Sequence, residues 1–125
     1  MITGFEEETA PLTEYEEREL LPVMIDGLSK KIGKENAVTS STIIRRLKEK
    51  GLKIDGARVR KLINHIRRHD LVPLLCGSSK GYWIEHNEKE INKYIRSLHE
   101  RIEAISAVRN AMVRQLDQIQ NRKAS

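Results

Sequence analysis

The 125-residue sequence predicts a mainly α-helical fold with one small β-hairpin and a long C-terminal helix. Three observations carry that expectation. Apolar residues recur at helical spacing in four separate stretches. Only 71–85 is rich in strand formers, and it holds the turn sequence GSSKG. Beyond residue 87 the apolar positions alternate steps of four and three over more than four repeats, the pattern of a coiled coil.

Residues 1–11 are polar and Glu-rich and end at Pro11, so they read as a frayed head. Thr13 is an N-cap type, and Glu14, Glu16 and Glu17 suit the positive end of a helix dipole. Leu20, Leu21, Met24, Ile25, Leu28 and Ile32 then keep helical spacing up to Gly33, with Pro22 as a kink or a reset start. NAVTSS, residues 36–41, is short and extended. Ser40 or Ser41 is expected to cap a second helix through about Lys50, with Ile43, Ile44 and Leu47 inward and Gly51 as its stop.

Asp55 caps the third helix, within DGARVRKLINHIRRHD. At ~100° per residue, Val59, Leu62, Ile63 and Ile66 share one arc. Lys61, Asn64 and Arg68 fall opposite, flanked by Arg58, Arg60, His65 and Arg67. Next, Leu71–Cys76 and Tyr82–Glu85 flank a five-residue turn as a hairpin, with Pro73 marking an edge. Alternation separates Trp83 from Tyr82 and Ile84; its expected place is against the first or last helix. Asn87 caps the last helix, from about Glu88 to Arg122. Its stripe is Ile91, Ile95, Leu98, Ile102, Ile105, Met112, Leu116 and Ile119, with Arg109 at one seam position. The stripe outruns the ~50 Å that so small a domain offers at ~1.5 Å per residue, which favours a homodimer through this helix.

Charge is unevenly placed. The formal net charge is +5. Residues 1–27 carry eight acidic groups and one basic, whereas 28–84 carry fourteen basic and four acidic. A basic centre behind an acidic head points to an anionic partner. The head is either a solvated tail or a segment lying near the basic face of its own or a partner chain.

The lone Cys76 rules out an internal disulfide and suits a reducing cytosol. No apolar run approaches the ~20 residues of a membrane span. The acidic N-terminus is unlike a secretory or transit signal. A cytoplasmic location with no membrane is therefore expected. No glycine-rich phosphate loop, paired carboxylates or Ser/His/Asp set appears, so no enzyme and no cofactor is expected. His65 and His69 have ligand spacing, but Arg67 and Arg68 sit between them, so no metal is expected.

TSSTIIRRLKEKG as second helix, DGARVRKLINHIRRHDLV as third helix and GSSKGYWI as a wing resemble the winged helix-turn-helix family over roughly Leu20–Glu85. The segment is also similar to small phage or prophage proteins of the same build. The departure is GLKIDG, which is not the tight turn of a simple repressor. The resemblance implies a winged helix domain over 13–86, after a tail 1–12 and before a dimerisation helix 87–125. It implies double-stranded DNA as partner, with the third helix in the major groove. Ala57, Lys61, Asn64, His65 and Arg68 would face the groove. Arg58, Arg60 and Arg67, with Ser78, Ser79 and Lys80 of the wing, would reach phosphates.

Between Arg45 and Arg68 stand ten Lys/Arg against two acids, suited to counterion release. Asn64 can pair with adenine, and Arg68 or Lys61 can address guanine. The expected function is sequence-specific DNA binding, as a transcriptional regulator or a mobile-element replication or maintenance factor. The alternative is a winged-helix adaptor that binds protein.

Overall fold

The computed structural model describes residues 8–124, and these divide into two units, the first ending at Asn87 and the second starting at Glu88. Most of the expected frayed head lies outside the described residues. The first helix begins at Glu14, passes through a π-helical turn, Glu16–Leu20, and continues as α1, Leu21–Leu28. Pro22 accounts for the change. It has no N–H, and its ring crowds the carbonyl four residues back. The chain answers with a wider turn, in which the Leu21 N–H bonds to the Glu16 carbonyl. The helix ends at Leu28, short of the expected Ile32, and Ile32 instead pairs with Ile84 in an isolated β-bridge.

A 3-10 turn, Lys34–Asn36, leads to α2, Ser40–Glu49. The N-cap is Thr39, one or two residues before the expected serines. Its hydroxyl accepts from the Thr42 N–H at 3.2 Å, and its backbone is extended, as a cap residue requires. Gly51, at φ +79°, closes α2 in a Schellman motif: its N–H bonds to the Lys48 carbonyl, and the Leu52 N–H bonds to the Leu47 carbonyl. Asp55 caps α3, Gly56–Arg68, accepting from the Arg58 N–H at 2.8 Å. Asp70, at φ +58°, takes the left-handed stop position after α3, and the Leu71 N–H returns to the Ile66 carbonyl.

The hairpin pairs β1, Leu75–Ser78, with β2, Gly81–Ile84, in the register Ser78↔Gly81. The connecting turn is thus two residues, Ser79 and Lys80, rather than five. Leu71–Leu74 form a turn rather than a strand. On its other side β2 bonds to the segment before α2. The Val38 N–H reaches the Tyr82 carbonyl at 2.9 Å, the Tyr82 N–H reaches the Val38 carbonyl at 2.8 Å, and the Ile84 N–H reaches the Lys31 carbonyl at 2.7 Å. A Cβ on Gly81 would lie 2.4 Å from the Val38 carbonyl oxygen, so this close approach requires glycine.

One core serves the first unit. Leu20, Met24 and Leu28 meet Ile43 and Leu47 of α2 and the arc Val59, Leu62, Ile63 and Ile66 of α3. That arc is the one expected from spacing. Trp83 is buried, while Tyr82 and Ile84 are half-buried and pack on the core. The second unit is a single helix, α4, Glu88–Ala124. None of its described side chains is buried, and Ile95, Ile102, Ile105, Met112, Leu116 and Ile119 are each at least half exposed. No described helix is long and apolar enough to cross a membrane.

Candidate nucleic-acid interface

The cations of α3 are divided between the protein's own carboxylates and solvent. Thr13 and Glu16 form a capping box: the Thr13 N–H donates to Glu16 Oε1 at 2.8 Å, and the Glu16 N–H donates to Thr13 Oγ1 at 3.1 Å. Glu16 does more than cap. Its Oε1 also accepts from Lys61 Nζ at 2.7 Å, and its Oε2 accepts from Arg58 Nε at 3.2 Å. The carboxylate is buried, and only 12% of the Lys61 side chain is exposed. Burial alone would raise the Glu16 pKa. The bond from Lys61, the backbone bond from Thr13 and the Lys61 charge outweigh it and hold the group below its ordinary value.

Tyr15 reinforces this clamp. Its hydroxyl donates to the Lys53 carbonyl at 3.1 Å and accepts from the Lys53 N–H at 2.6 Å. The Arg58 guanidinium lies 5.1 Å from the Tyr15 ring centroid, a cation–π distance. Arg60 pairs with Glu8 at 3.2 Å in a more exposed setting. Glu8 and Glu16 therefore lie against part of the basic face of their own chain, the placement the sequence offers as the alternative to a solvated tail.

This corrects the expected placement of Lys61. It is opposite the apolar arc on the wheel, yet it faces the N-terminal turn rather than solvent. Arg58, expected to point outward, shares its carboxylate. Asn64 is half-buried and Arg68 exposed, with Arg68 Nη1 3.5 Å from Asn64 Oδ1. Ala57 is half-buried. Arg67 is half-buried and lies close enough to Cys76 of β1 to favour its thiolate, although burial still raises the Cys76 thiol overall. His65 is half-buried, with its ring 4.3 Å from that of His69. Desolvation, then His69 and Arg68, lowers its pKa, so the neutral imidazole is favoured.

At the hairpin tip Ser78, Ser79 and Lys80 are exposed, and the Lys80 N–H donates to Ser78 Oγ at 3.1 Å. Arg45, Arg46, Lys48, Lys50, Lys53 and Arg68 make no ion pair among the described residues. No three His, Cys, Asp or Glu side chains come together as a metal-ligand group among the described residues.

Reading from sequence missed Glu16 and Glu8 as partners of α3. Two signals were present. T-x-x-E at 13–16 is a capping-box pattern that fixes the Glu16 rotamer, and the opposite charges of head and centre favour their contact. On α4 the expected interface residues Ile91, Ile95, Leu98, Ile102, Ile105, Met112, Leu116 and Ile119 lie on one continuous helix, unburied within the chain. Comparison of the chain with protein-family models, with curated proteins and with solved structures returns no match in any of the three.

Proposed function

We propose that the chain is a winged helix protein that binds double-stranded DNA in the cytoplasm as a homodimer joined through α4. The observation that carries this reading is the surplus of unpaired cation. After Glu16 and Glu8 have engaged Arg58, Lys61 and Arg60, six Lys/Arg on α2, α3 and the loop between them make no ion pair among the described residues. Such a surplus supplies affinity through counterion release. Base readout falls to Asn64 and Arg68, the polar groups of the C-terminal half of α3 that lie away from the core. Lys80 and the two wing serines add backbone contacts. The exposed heptad stripe of α4 pairs two copies, which places two α3 helices on a two-fold DNA site. The single buried thiol suits a reducing compartment.

A second reading is a protein-binding adaptor of the same build. It is favoured by Lys61 and Arg58, because their engagement by Glu16 removes two cations from the surface that DNA would use. Fluorescence anisotropy with a labelled 30-base-pair random duplex separates the two. DNA binding raises the anisotropy at low salt, and log K falls linearly as log salt rises, with a slope near the number of phosphates contacted. An unchanged anisotropy at 50 mM salt overturns the DNA reading and leaves the adaptor.

A further inference from the structure

A concave feature lies away from the clamp, between α1 and α2. It is a cavity of about 130 Å³. Met24, Leu28, Ile43 and Leu47, all buried, form its apolar walls. Lys31, Arg46 and Lys50 also line it, and none of the three makes an ion pair among the described residues. Asp26 is the one acid in the lining, and it is held by Lys30 at 3.3 Å. Apolar walls beneath a net cationic lining match a ligand with a hydrocarbon body and an anionic head.

The cations have a competing use. Lysine and arginine near a helix C-terminus complement the dipole, and Arg46 is in the last turn of α2. Lys48 already occupies that turn, yet it does not line the cavity. Arg46 and Lys50 are four residues apart, on the face that carries Ile43 and Leu47, so both stand over the apolar walls.

Gly27 is the second observation. It lies in the last turn of α1 and lines the cavity. Its φ is not positive, and a Cβ there would meet nothing within 4 Å. Neither backbone conformation nor packing calls for glycine, which costs a helix up to ~1 kcal/mol against alanine. Gly27 is exposed, so the open space that its missing side chain leaves is at the solvent-facing rim of the cavity.

We infer that this cavity binds a small carboxylate with an apolar body of about six carbons, such as an aryl or branched aliphatic acid. Size sets that limit: an apolar cavity of ~150 Å³ takes benzene. Occupancy is wired to the hairpin. Val38 and Lys31 both line the cavity, and their backbone groups hold Tyr82 and Ile84 of β2. A ligand that shifts these two wall residues shifts the hydrogen bonds that position β2.

The test is an NMR titration of the full chain with benzoate, with benzyl alcohol as the uncharged control. The expected result is saturable shifts at the Val38 and Ile43 methyls and the Tyr82 and Ile84 amides, with Kd on the order of 1 mM or tighter. Benzyl alcohol binds at least tenfold more weakly. Arg46→Gln with Lys50→Gln weakens benzoate at least tenfold and leaves benzyl alcohol unchanged. Gly27→Leu, which adds volume where nothing is in the way, abolishes the shifts while the protein stays folded. No saturation at 20 mM benzoate, equal affinity for the alcohol, or unaltered binding to Gly27→Leu would each overturn the inference. None of these measurements involves DNA, so the outcome is independent of the proposed function.

Discussion

Lys61 Nζ sits 2.7 Å from Oε1 of a buried Glu16, forty-five residues earlier in the chain. This pair ties the start of the first helix to the middle of α3. Glu16→Gln keeps the shape and removes the charge, leaving Lys61 poorly solvated and without its counter-ion. The expected loss is about 3 kcal/mol, the scale for breaking a buried ion pair, read as a lowered urea midpoint. The double variant Glu16→Leu/Lys61→Met replaces both charges with apolar groups and should recover at least half of it. A Glu16→Gln protein within about 0.5 kcal/mol of wild type, the range of a neutral surface change, would show that the pair contributes little.

Stability should fall in two steps as pH is lowered. His65 is held below 6.5 in the folded state by desolvation, then by His69 and Arg68, with Glu17 pulling the other way. The unfolded chain therefore takes up the proton first, and stability declines from about 6.5 toward the lowered folded value. Glu16 acts further down. Its contribution is complete above 4.5 and is lost as pH falls below that value through its depressed folded pKa. Urea midpoints measured from pH 8 to pH 3 give the profile. His65→Asn should flatten the upper step and leave the lower one.

Gly81→Ala should be among the most damaging small substitutions. Gly81 has φ +115°, and the new methyl group would collide with the Val38 carbonyl. Backbone strain and loss of the Val38–Tyr82 bonds together cost on the order of 2–3 kcal/mol. Amide exchange should accelerate at Val38 and Tyr82 before anywhere else in the first unit. Unchanged exchange there would mean that the hairpin is held by its apolar contacts instead.

If the DNA reading holds, substitutions on α3 and on the hairpin tip should differ in kind. Arg68→Ala and Asn64→Ala should each narrow the gap between preferred and random duplex by ~1–3 kcal/mol. Lys80→Ala should weaken all sequences alike and reduce the salt slope by about 1. Identical behaviour of the two sets would remove base readout from α3. Lys61→Ala belongs with neither, because its first effect should be on unfolding.

Leu98→Asp with Ile105→Asp places two charges in the apolar stripe of α4. Sedimentation should show a dimer for the parent chain and a monomer for the variant, with the first unit still folded by its near-ultraviolet signal. A parent that sediments as a monomer, or a variant that stays dimeric, would move the association surface elsewhere.

Periodicity made the helices and the α3 core arc legible, because burial of an apolar stripe is a local property of sequence. Asp55 and Gly51 were equally readable, since a cap depends on neighbours in the chain. The second-helix cap was misplaced at Ser40 or Ser41 because three adjacent hydroxyl residues can each serve, and Thr39 is the one in extended conformation. The strand start was misread because Asp70 and Leu74, both non-glycine, adopt left-handed backbone and turn the chain. Lys61 was misread for a different reason. A helical wheel tells which residues avoid the apolar core, but it cannot show a second, polar contact on the far side. That contact depends on Glu16, and only the fold brings the two together.

The widened turn before Pro22 has a consequence for phase. In an unbroken α-helix each four-residue step drifts by ~40°, so Glu16 would swing away from the line of Leu20, Met24 and Leu28. The looser i→i+5 winding offsets that drift and keeps the carboxylate in line with its apolar neighbours. The proline thus works as a vernier. Deleting one residue between Glu16 and Pro22 would straighten the rod and rotate its acidic end by ~100°, parting it from α3.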